Sequence, residues 1–340
     1  MTTSPLQLRA MEGLEEAQRR LARIPLLQVT LDEPLARHTR FGLGGPAAVF
    51  ATTEDEGAFL EALRAVQASG AEWVLIGMGT NLIVADAGFP GVVLRYDGGR
   101  IAIQGQRVTS QAGAPLQKLV DATIEAGLQG YEPMTGIPGN VGAAIYGNAG
   151  AYGASISDRL VRVRYFDGEQ VRETDRAGCG FRYRESEFKR RRLGGEPWLV
   201  LEAEFEFPEG NSAEMRKKAE EILAIRNRKY PPDMKCAGSI FKNLFWDRLP
   251  PQAQRAAPPE IIKGGKVPAA WFLEQAGAKG MACGGIRVST DHANTLYNAG
   301  GGTAADFRAL AAELKRRVRE RFGIELEEEV QYIGFRGAPK

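Results

Sequence analysis

The sequence predicts an α+β fold. Short apolar runs of strand length are scattered along the 340-residue chain, with well-signalled helices between them in irregular order. That order does not make a regular βαβ series. Hydrophobic content of 44 % and charged content of 25 % are those of an ordinary globular protein. The length allows two or three domains of usual size.

The elements follow in order. Leu6 to Ile24 reads as a charged amphipathic helix bearing Glu12, Glu15, Glu16, Arg19, Arg20 and Arg23, without the pattern of a signal peptide. Thr53-Glu54-Asp55-Glu56 reads as a capping box. It opens a helix with Phe59, Leu60, Leu63 and Val66 on its apolar face, ended by Ala68-Ser69-Gly70. Trp73 to Ile76 is a buried strand, and Leu82 to Val84 and Val92 to Leu94 are two more. Pro115 and Gly127 bracket a second helix. Val161 to Phe166 and Trp198 to Phe207 are strands, the latter alternating Glu202, Glu204 and Glu206 with Ala203, Phe205 and Phe207. Asn211 to Arg228 is a charged helix at a domain boundary. Gln252 to Lys266, rich in Pro and Gly, reads as a loop, and Val267 to Ala276 as a short helix ended by Gly277. Thr303 to Asp306 caps a last helix with Phe307, Leu310, Leu314 and Val318 on one face, and Val330 to Phe335 is a final strand.

Composition excludes several function classes. A net charge of +2 gives no case for a nucleic-acid or membrane partner. The basic run Lys189 to Arg192 reads as a solvated loop. No apolar segment approaches the ~20 residues needed to cross a bilayer, and a cytoplasmic location is expected. Cys179, Cys236 and Cys283 are far apart and odd in number, and the chain has only His38 and His292. Neither a disulfide framework nor a protein-held metal is expected. Difficult redox chemistry would therefore need an organic cofactor.

Two kinds of motif carry chemistry. Ala237-Gly238-Ser239-Ile240-Phe241-Lys242-Asn243 places a hydroxyl after a small-residue turn, with a cation and an amide shortly after. With no histidine nearby in sequence, Ser239 reads as a general acid rather than a nucleophile, or else as part of a plain turn. The glycine turns are the second kind. Gly77-Met78-Gly79-Thr80-Asn81 follows a strand, but it lacks the third glycine of a dinucleotide fingerprint and runs on into Leu82 and a strand. Its amides could face phosphate. Gly136-Ile137-Pro138-Gly139-Asn140-Val141-Gly142-Ala143-Ala144 and Gly147-Asn148-Ala149-Gly150-Ala151-Tyr152-Gly153 present little but small side chains. Together the turns point to a bound dinucleotide.

These segments resemble the UDP-N-acetylenolpyruvoylglucosamine reductase family. The likeness runs from about Leu31 to Gly334 and adds His38-Thr39-Arg40 with Gly44-Gly45, Tyr183-Arg184-Glu185-Ser186-Glu187-Phe188-Lys189, and Glu329-Val330 before Tyr332-Ile333-Gly334. The resemblance implies the FAD-binding fold of the vanillyl-alcohol oxidase type in two lobes, plus a C-terminal α/β substrate-binding domain. It implies NADPH-driven, FAD-mediated reduction of the enolpyruvyl ether of UDP-N-acetylglucosamine to UDP-N-acetylmuramate, a peptidoglycan precursor. The expected organisation is an N-terminal helical extension at 1–27, FAD-binding lobes at 28–98 and 99–210, a substrate domain at 211–322 with an extra segment at about 245–266, and a C-terminal strand segment at 323–340 carrying Glu329.

The implied residue roles follow from the motifs. Arg184 and Glu329 stabilise an enolate, Glu329 as a protonated carboxyl, and Ser239 gives the proton to the α-carbon. FAD contacts fall on Thr39, Gly77, Gly79, Thr80, Asn81, Leu82, Gly136, Ile137, Pro138, Gly139, Gly142, Ala143, Asn148, Gly150 and Gly153. Substrate contacts fall on Tyr183, Lys229, Asn243 and Glu274. Small-molecule substrates, non-covalent FAD, NADPH as hydride donor and a monomer are implied, with no metal.

Departures are few. Thr80 stands for the usual serine, Gly147 for a larger residue and Leu244 for proline, and no tyrosine-bearing loop separates Arg184 from Ser239. Another FAD-dependent oxidase would share the Gly77 and Gly136 turns, but has no reason to carry Gly238-Ser239 or Glu329-Val330.

Overall fold

The computed structural model describes residues 5–335. The outer ends of the expected N-terminal and C-terminal segments, 1–4 and 336–340, lie outside the described residues. The first lobe contains α1 (Pro5–Leu21), β1 (Gln28–Pro34), β2 (Pro46–Thr53), α2 (Glu56–Ser69), β3 (Trp73–Ile76), β4 (Leu82–Val84) and β5 (Phe89–Tyr96). Four strands form a sheet in the order β1-β2-β5-β3, with β5 parallel to both neighbours. In α2 the N-cap is Asp55, whose carboxylate accepts from the Ala58 amide at 2.8 Å, while Thr53 Oγ1 accepts from the Asp55 amide. The cap thus lies two residues later than the capping-box reading placed it.

The second lobe contains β6 (Ile101–Gln104), β7 (Arg107–Gln111), α3 (Leu116–Glu125), α4 (Val141–Tyr146), the short hairpin β8 (Gly150–Ala151) and β9 (Ala154–Ser155), β10 (Leu160–Phe166), β11 (Val171–Asp175), α5 (Glu187–Leu193) and β12 (Leu199–Glu206). Its antiparallel sheet runs β11-β10-β12-β7-β6. On β12 the Ala203/Phe205 face is buried as alternation predicts. Glu204, on the other face, is only 8 % exposed, because Arg107 and Arg162 each donate to it at 2.8 Å. The run Lys189 to Arg192 is not a solvated loop. It lies in α5, where Arg190 and Arg191 pair with Glu187 and the Arg192 guanidinium stacks 4.3 Å over Trp73.

The C-terminal domain contains α6 (Ser212–Lys229), β13 (Cys236–Ser239), β14 (Leu244–Phe245), α7 (Pro251–Ala256), β15 (Lys266–Val267), α8 (Ala269–Gln275), β16 (Ala282–Cys283), β17 (Ile286–Val288), β18 (Thr295–Asn298), α9 (Ala304–Phe322) and β19 (Gln331–Ile333). A sheet β13-β18-β17-β16 packs on α9. The stretch read as a loop from Gln252 includes most of α7, which begins at Pro251 after Pro250 as its N-cap, as a Pro-initiated helix can. The helix expected from Val267 begins only at Ala269, because Lys266 and Val267 pair with Phe245 and Leu244.

The apolar cores explain how these parts hold together. One runs from Ala17 and Leu21 of α1 through α2, both large sheets, α3 and α4 to Ala219 of α6. A second joins Phe41, Leu43 and Ile83 to Phe272, Phe307 and Phe322. Each such fully buried aromatic contributes roughly 1.5–3 kcal/mol of transfer free energy. β19 returns to the first lobe and pairs in parallel with β4, Tyr332 opposite Ile83. Among the described residues no helix is long and apolar enough to cross a membrane.

Candidate active site

The site begins where the two glycine turns interlock. A Cβ on Gly79 would lie 1.8 Å from the His38 carbonyl oxygen, and its φ is +62°, so only glycine fits. A Cβ on Gly77 would meet the Asn140 side chain at 2.8 Å. Asn140 itself accepts from the Ala143 amide and caps α4. Thr80 Oγ1 donates to the Pro138 carbonyl at 3.3 Å, and Gly139 has φ +123° directly beside it. The backbones touch because the side chains are missing, and what remains is a wall of small residues.

Two cavities flank this wall. One of about 190 Å³ is lined by Gly77, Gly79, Leu82, Gly142 and Tyr146 with Trp198. The other, about 420 Å³, is lined on one side by Ile137, Pro138, Gly139 and Gly150, and on the other by Arg184, Lys229, Ser239, Asn243 and Glu329. Thr80, Asn81, Asn140 and Ala143 belong to both. A long ligand with a phosphate-bearing middle fits such a divided, glycine-walled space, where amides can be approached closely.

Arg184, Glu329 and Ser239 arrive from separate parts of the chain. Arg184 sits in a tight turn in which Arg182 and Glu185 exchange backbone hydrogen bonds at 3.0 and 3.1 Å. Its φ is +56°, a left-handed conformation that costs a non-glycine residue ~1–2 kcal/mol. Asn148, also left-handed at +43°, braces that turn by donating to the Arg182 carbonyl at 2.9 Å. Arg184 Nη2 donates to the Gly150 carbonyl at 3.2 Å. Its Nε lies 2.6 Å from Glu329 Oε1, the two side chains being 23 % and 22 % exposed. The Nε–H is not directed at that oxygen and stays without a hydrogen-bond acceptor among the described residues. Lys189 Nζ donates to the Arg184 carbonyl at 3.1 Å; burial, with Lys242 nearby, pushes the Lys189 ammonium below its usual pKa.

Glu329 is fixed by its backbone. Its amide donates to the Ile240 carbonyl at 2.7 Å, and its carbonyl accepts from Asn81 Nδ2 at 2.9 Å. The expected FAD-contacting Asn81 therefore spends its side-chain amide on tying the glycine turn to the chain end. Ser239 closes β13, opposite Thr295 in register. Its Oγ is 2.9 Å from Tyr230 Oη. His292 lies beyond Tyr230, ring centroids 5.7 Å apart. Burial, with Lys229 adding to it, lowers the His292 pKa to about 4.

Other expected residues lie elsewhere. Thr39 is buried behind the first turn, its hydroxyl donating to the Leu43 carbonyl at 2.9 Å. Gly136 faces Leu223 and Arg226 of α6. Asn148 and Gly153 line neither of these cavities. Tyr183 accepts from the Asn243 amide at 3.2 Å, behind the main cavity. Glu274 is exposed and pairs with Lys279 at 2.7 Å, away from the cavity wall. Lys242, the cation of the Ser239 motif, pairs with Glu327.

The cavity also holds Arg40, Tyr152, Arg226 and Tyr230, which sequence reasoning did not single out. Arg40 and Tyr152 lay inside quoted motifs. Arg226 sits one helical turn before Tyr230, a relation that only helix geometry exposes. Burial pushes the Arg226 guanidinium below its usual pKa, and its Nε has no acceptor among the described residues. No cluster of His, Cys, Asp and Glu among the described residues could hold a metal ion.

Comparison with known proteins agrees with this layout. Residues 46–172 match the FAD binding domain family, and residues 230–333 match the family described as UDP-N-acetylenolpyruvoylglucosamine reductase, C-terminal domain. The chain is 55 % identical over 315 residues to the UDP-N-acetylenolpyruvoylglucosamine reductase of Solibacter usitatus, covering 93 % of this chain and 100 % of that one. It is 36 % identical over 310 residues to the reductase of Heliobacterium modesticaldum, 90 % of each chain being covered. The crystal structure of the Thermus caldophilus reductase superposes with a TM-score of 0.69 at 29 % identity, covering 90 % of this chain and 98 % of that one.

Proposed function

The chain belongs to the UDP-N-acetylenolpyruvoylglucosamine reductase family of flavin-dependent oxidoreductases, and from this we propose that it uses NADPH to reduce UDP-N-acetyl-3-O-(1-carboxyvinyl)-glucosamine to UDP-N-acetylmuramate. The observation that carries the proposal is the meeting of Arg184, Glu329 and Ser239 at one cavity, beside the wall of small residues. The glycine turns with Thr80, Asn81 and Ala143 would hold FAD, which would supply the hydride chemistry between NADPH and the enolpyruvyl group.

The protein's own contribution is electrostatic and protonic. As the β-carbon gains hydride, negative charge grows on the substrate carboxylate as an enolate. Arg184 presents a planar fork to that carboxylate, held at one end by the Gly150 carbonyl and at the other by Glu329. Its Nε–H is buried close to Glu329 without an aligned acceptor, so the outward-facing nitrogens of the fork are the ones left to meet the ligand. Donors fixed before reaction stabilise charge as it develops, a contribution of about 3–4 kcal/mol for one such donor. Glu329 shares the carboxylate end with Arg184, and Ser239 gives its hydroxyl proton to the α-carbon. Lys229 and Asn243 line the outer wall, where a diphosphate would pass. In this reading the lobes at 28–98 and 99–210 hold the flavin, and 211–322 closes over the nucleotide. A monomer in the cytoplasm, with no nucleic-acid or membrane partner, completes it.

Purification and assay test this. The expected result is a yellow protein whose NADPH oxidation requires the enolpyruvyl nucleotide. A colourless protein, or NADPH oxidation indifferent to that substrate, would overturn the proposal.

A further inference from the structure

We propose that Tyr230 is a positioning residue that holds the Ser239 hydroxyl and passes it the replacement proton each time Ser239 protonates the substrate carbon. This rests on the proton-donor reading of Ser239 given above.

Geometry comes first. Tyr230 Oη, 2.9 Å away, is the hydrogen-bond partner of Ser239 Oγ among the described residues. Tyr230 follows α6 directly, and its amide donates to the Arg226 carbonyl at 2.8 Å, so the last helical turn fixes where the ring begins. The Arg226 guanidinium lies 5.7 Å from the centre of that ring. Both Tyr230 and Ser239 line the main cavity, as do Arg226 and Lys229. His292, on the far side of the ring, has its Nδ1 3.2 Å from Thr295 Oγ1 and makes no hydrogen bond to the phenol.

A proton donor beside Ser239 suits the chemistry. A serine that gives its proton to carbon would be left as an alkoxide, a far stronger base than a phenolate. In the proposed relay the Ser239 O–H bond breaks as the α-carbon C–H bond forms. The Tyr230 O–H bond breaks as a new Ser239 O–H bond forms. The phenolate then takes a proton from solvent water entering the cavity, the same proton that the overall reduction consumes. No electrons move in this relay. Arg226 and Lys229, neither with a carboxylate partner among the described residues, favour the transient negative charge. If Tyr230 instead only fills space, its hydroxyl is dispensable.

The test uses the holoenzyme and Tyr230→Phe. Flavin reduction by NADPH is expected to stay within about 2-fold of wild type, while reoxidation by substrate slows by about 100-fold, the low end of the range for a lost proton-transfer group. Calorimetric affinity for UDP-N-acetylmuramate on the oxidised enzyme is expected within about 2-fold. In mixtures of H₂O and D₂O the reoxidation rate of wild type should give a bowed proton inventory, and that of Tyr230→Phe a straight one. Adding Tyr230→Phe to Ser239→Ala should cost nothing further, because the phenol acts through the serine. Wild-type reoxidation in Tyr230→Phe overturns the proposal, as does additivity with Ser239→Ala or an unchanged inventory. An affinity loss matching the rate loss would make Tyr230 a ligand contact instead. If Ser239→Ala alone reoxidises at the wild-type rate, the donor reading of Ser239 fails, and the relay fails with it. If Ser239→Ala is slow and Tyr230→Phe is not, only the relay fails.

Discussion

Arg184 combines backbone strain with an underused donor. Its left-handed φ of +56° is maintained by Asn148 and by the Lys189 ammonium on its carbonyl, and its Nε–H lacks an aligned acceptor. Strain held by several neighbours at a cavity wall is the pattern expected of a pre-organised contact. Lysine offers one point charge where the Arg184 fork reaches both the Gly150 carbonyl and Glu329. Arg184→Lys should therefore slow flavin reoxidation by substrate about 100-fold and leave reduction by NADPH within about 2-fold, read by stopped-flow absorbance. Equal loss in both half-reactions would mean that Arg184 holds the fold rather than the enolate. His292 gives a second residue-scale expectation. Burial and Lys229 lower its pKa to about 4 from the usual 6.5, with Lys279 opposing protonation and Glu274 favouring it. Between those values the unfolded chain binds the proton and the folded one does not. Stability from this residue is thus intact above pH 6.5 and falls as pH drops toward 4, by at most about 3 kcal/mol. Urea midpoints of wild type and His292→Gln should converge as pH falls from 7.5 to 5. A constant gap would show that His292 does not titrate this way.

The helices that the sequence predicted well are those with local stop and start signals. Thr303 and Asp306 satisfy each other's amides at 3.0 and 2.9 Å, and Gly323 ends α9 in the left-handed conformation at φ +70°. Asp86 from the first lobe adds its carboxylate to the same helix start, accepting from Ala304 and Ala305. Thr303→Ala should cost about 1 kcal/mol in urea unfolding and leave the flavin content unchanged. No loss at all would mean that Asp86 alone suffices as the cap. Elements whose reasons are not local escaped the sequence. β1 is exposed along much of both faces, so it shows no alternation. In α5, Phe188 is the buried residue beside a run of cations, which hides a helical face. α7 and β15 occur where Pro and Gly suggested only loop, because pairing of β14 with β15 depends on a partner more than twenty residues away in sequence, a distance no local pattern reports. The site divides the same way. Arg184, Ser239 and Glu329 were legible from motifs, whereas Tyr230, Arg226 and the displacement of Glu274 were not, because each follows from how α6 and α8 are oriented.

At the scale of the whole molecule, the chain end completes the site. Asn81 and Glu329 are 248 residues apart, yet the Asn81 amide holds the Glu329 carbonyl and Gln331 donates back to the Asn81 carbonyl at 3.0 Å. Two residues on, β19 pairs with β4, and Ile333 enters a small core with Phe50, Val84 and Val93 of the first lobe. Position and chemistry are thus carried by neighbouring residues and can be separated. Ile333→Asp buries a carboxylate in that core, where Ile333 is only 7 % exposed. Desolvating an unpaired charge should cost several kcal/mol and release β19 from β4. The glycine turn at 77–81 would lose its tie to the C-terminal domain, so weaker FAD retention on gel filtration and slower turnover should appear together. Glu329→Gln keeps the backbone clamp and removes only the acidic proton of the carboxyl group. It should retain FAD fully, reduce with NADPH within about 2-fold of wild type, and reoxidise at least about 10-fold more slowly. If Ile333→Asp keeps its flavin and loses only reoxidation, β19 serves to deliver Glu329 and not to join the two parts. If Glu329→Gln sheds FAD as readily as Ile333→Asp, the carboxylate is a structural tie, and its place beside Arg184 has nothing to do with the enolate.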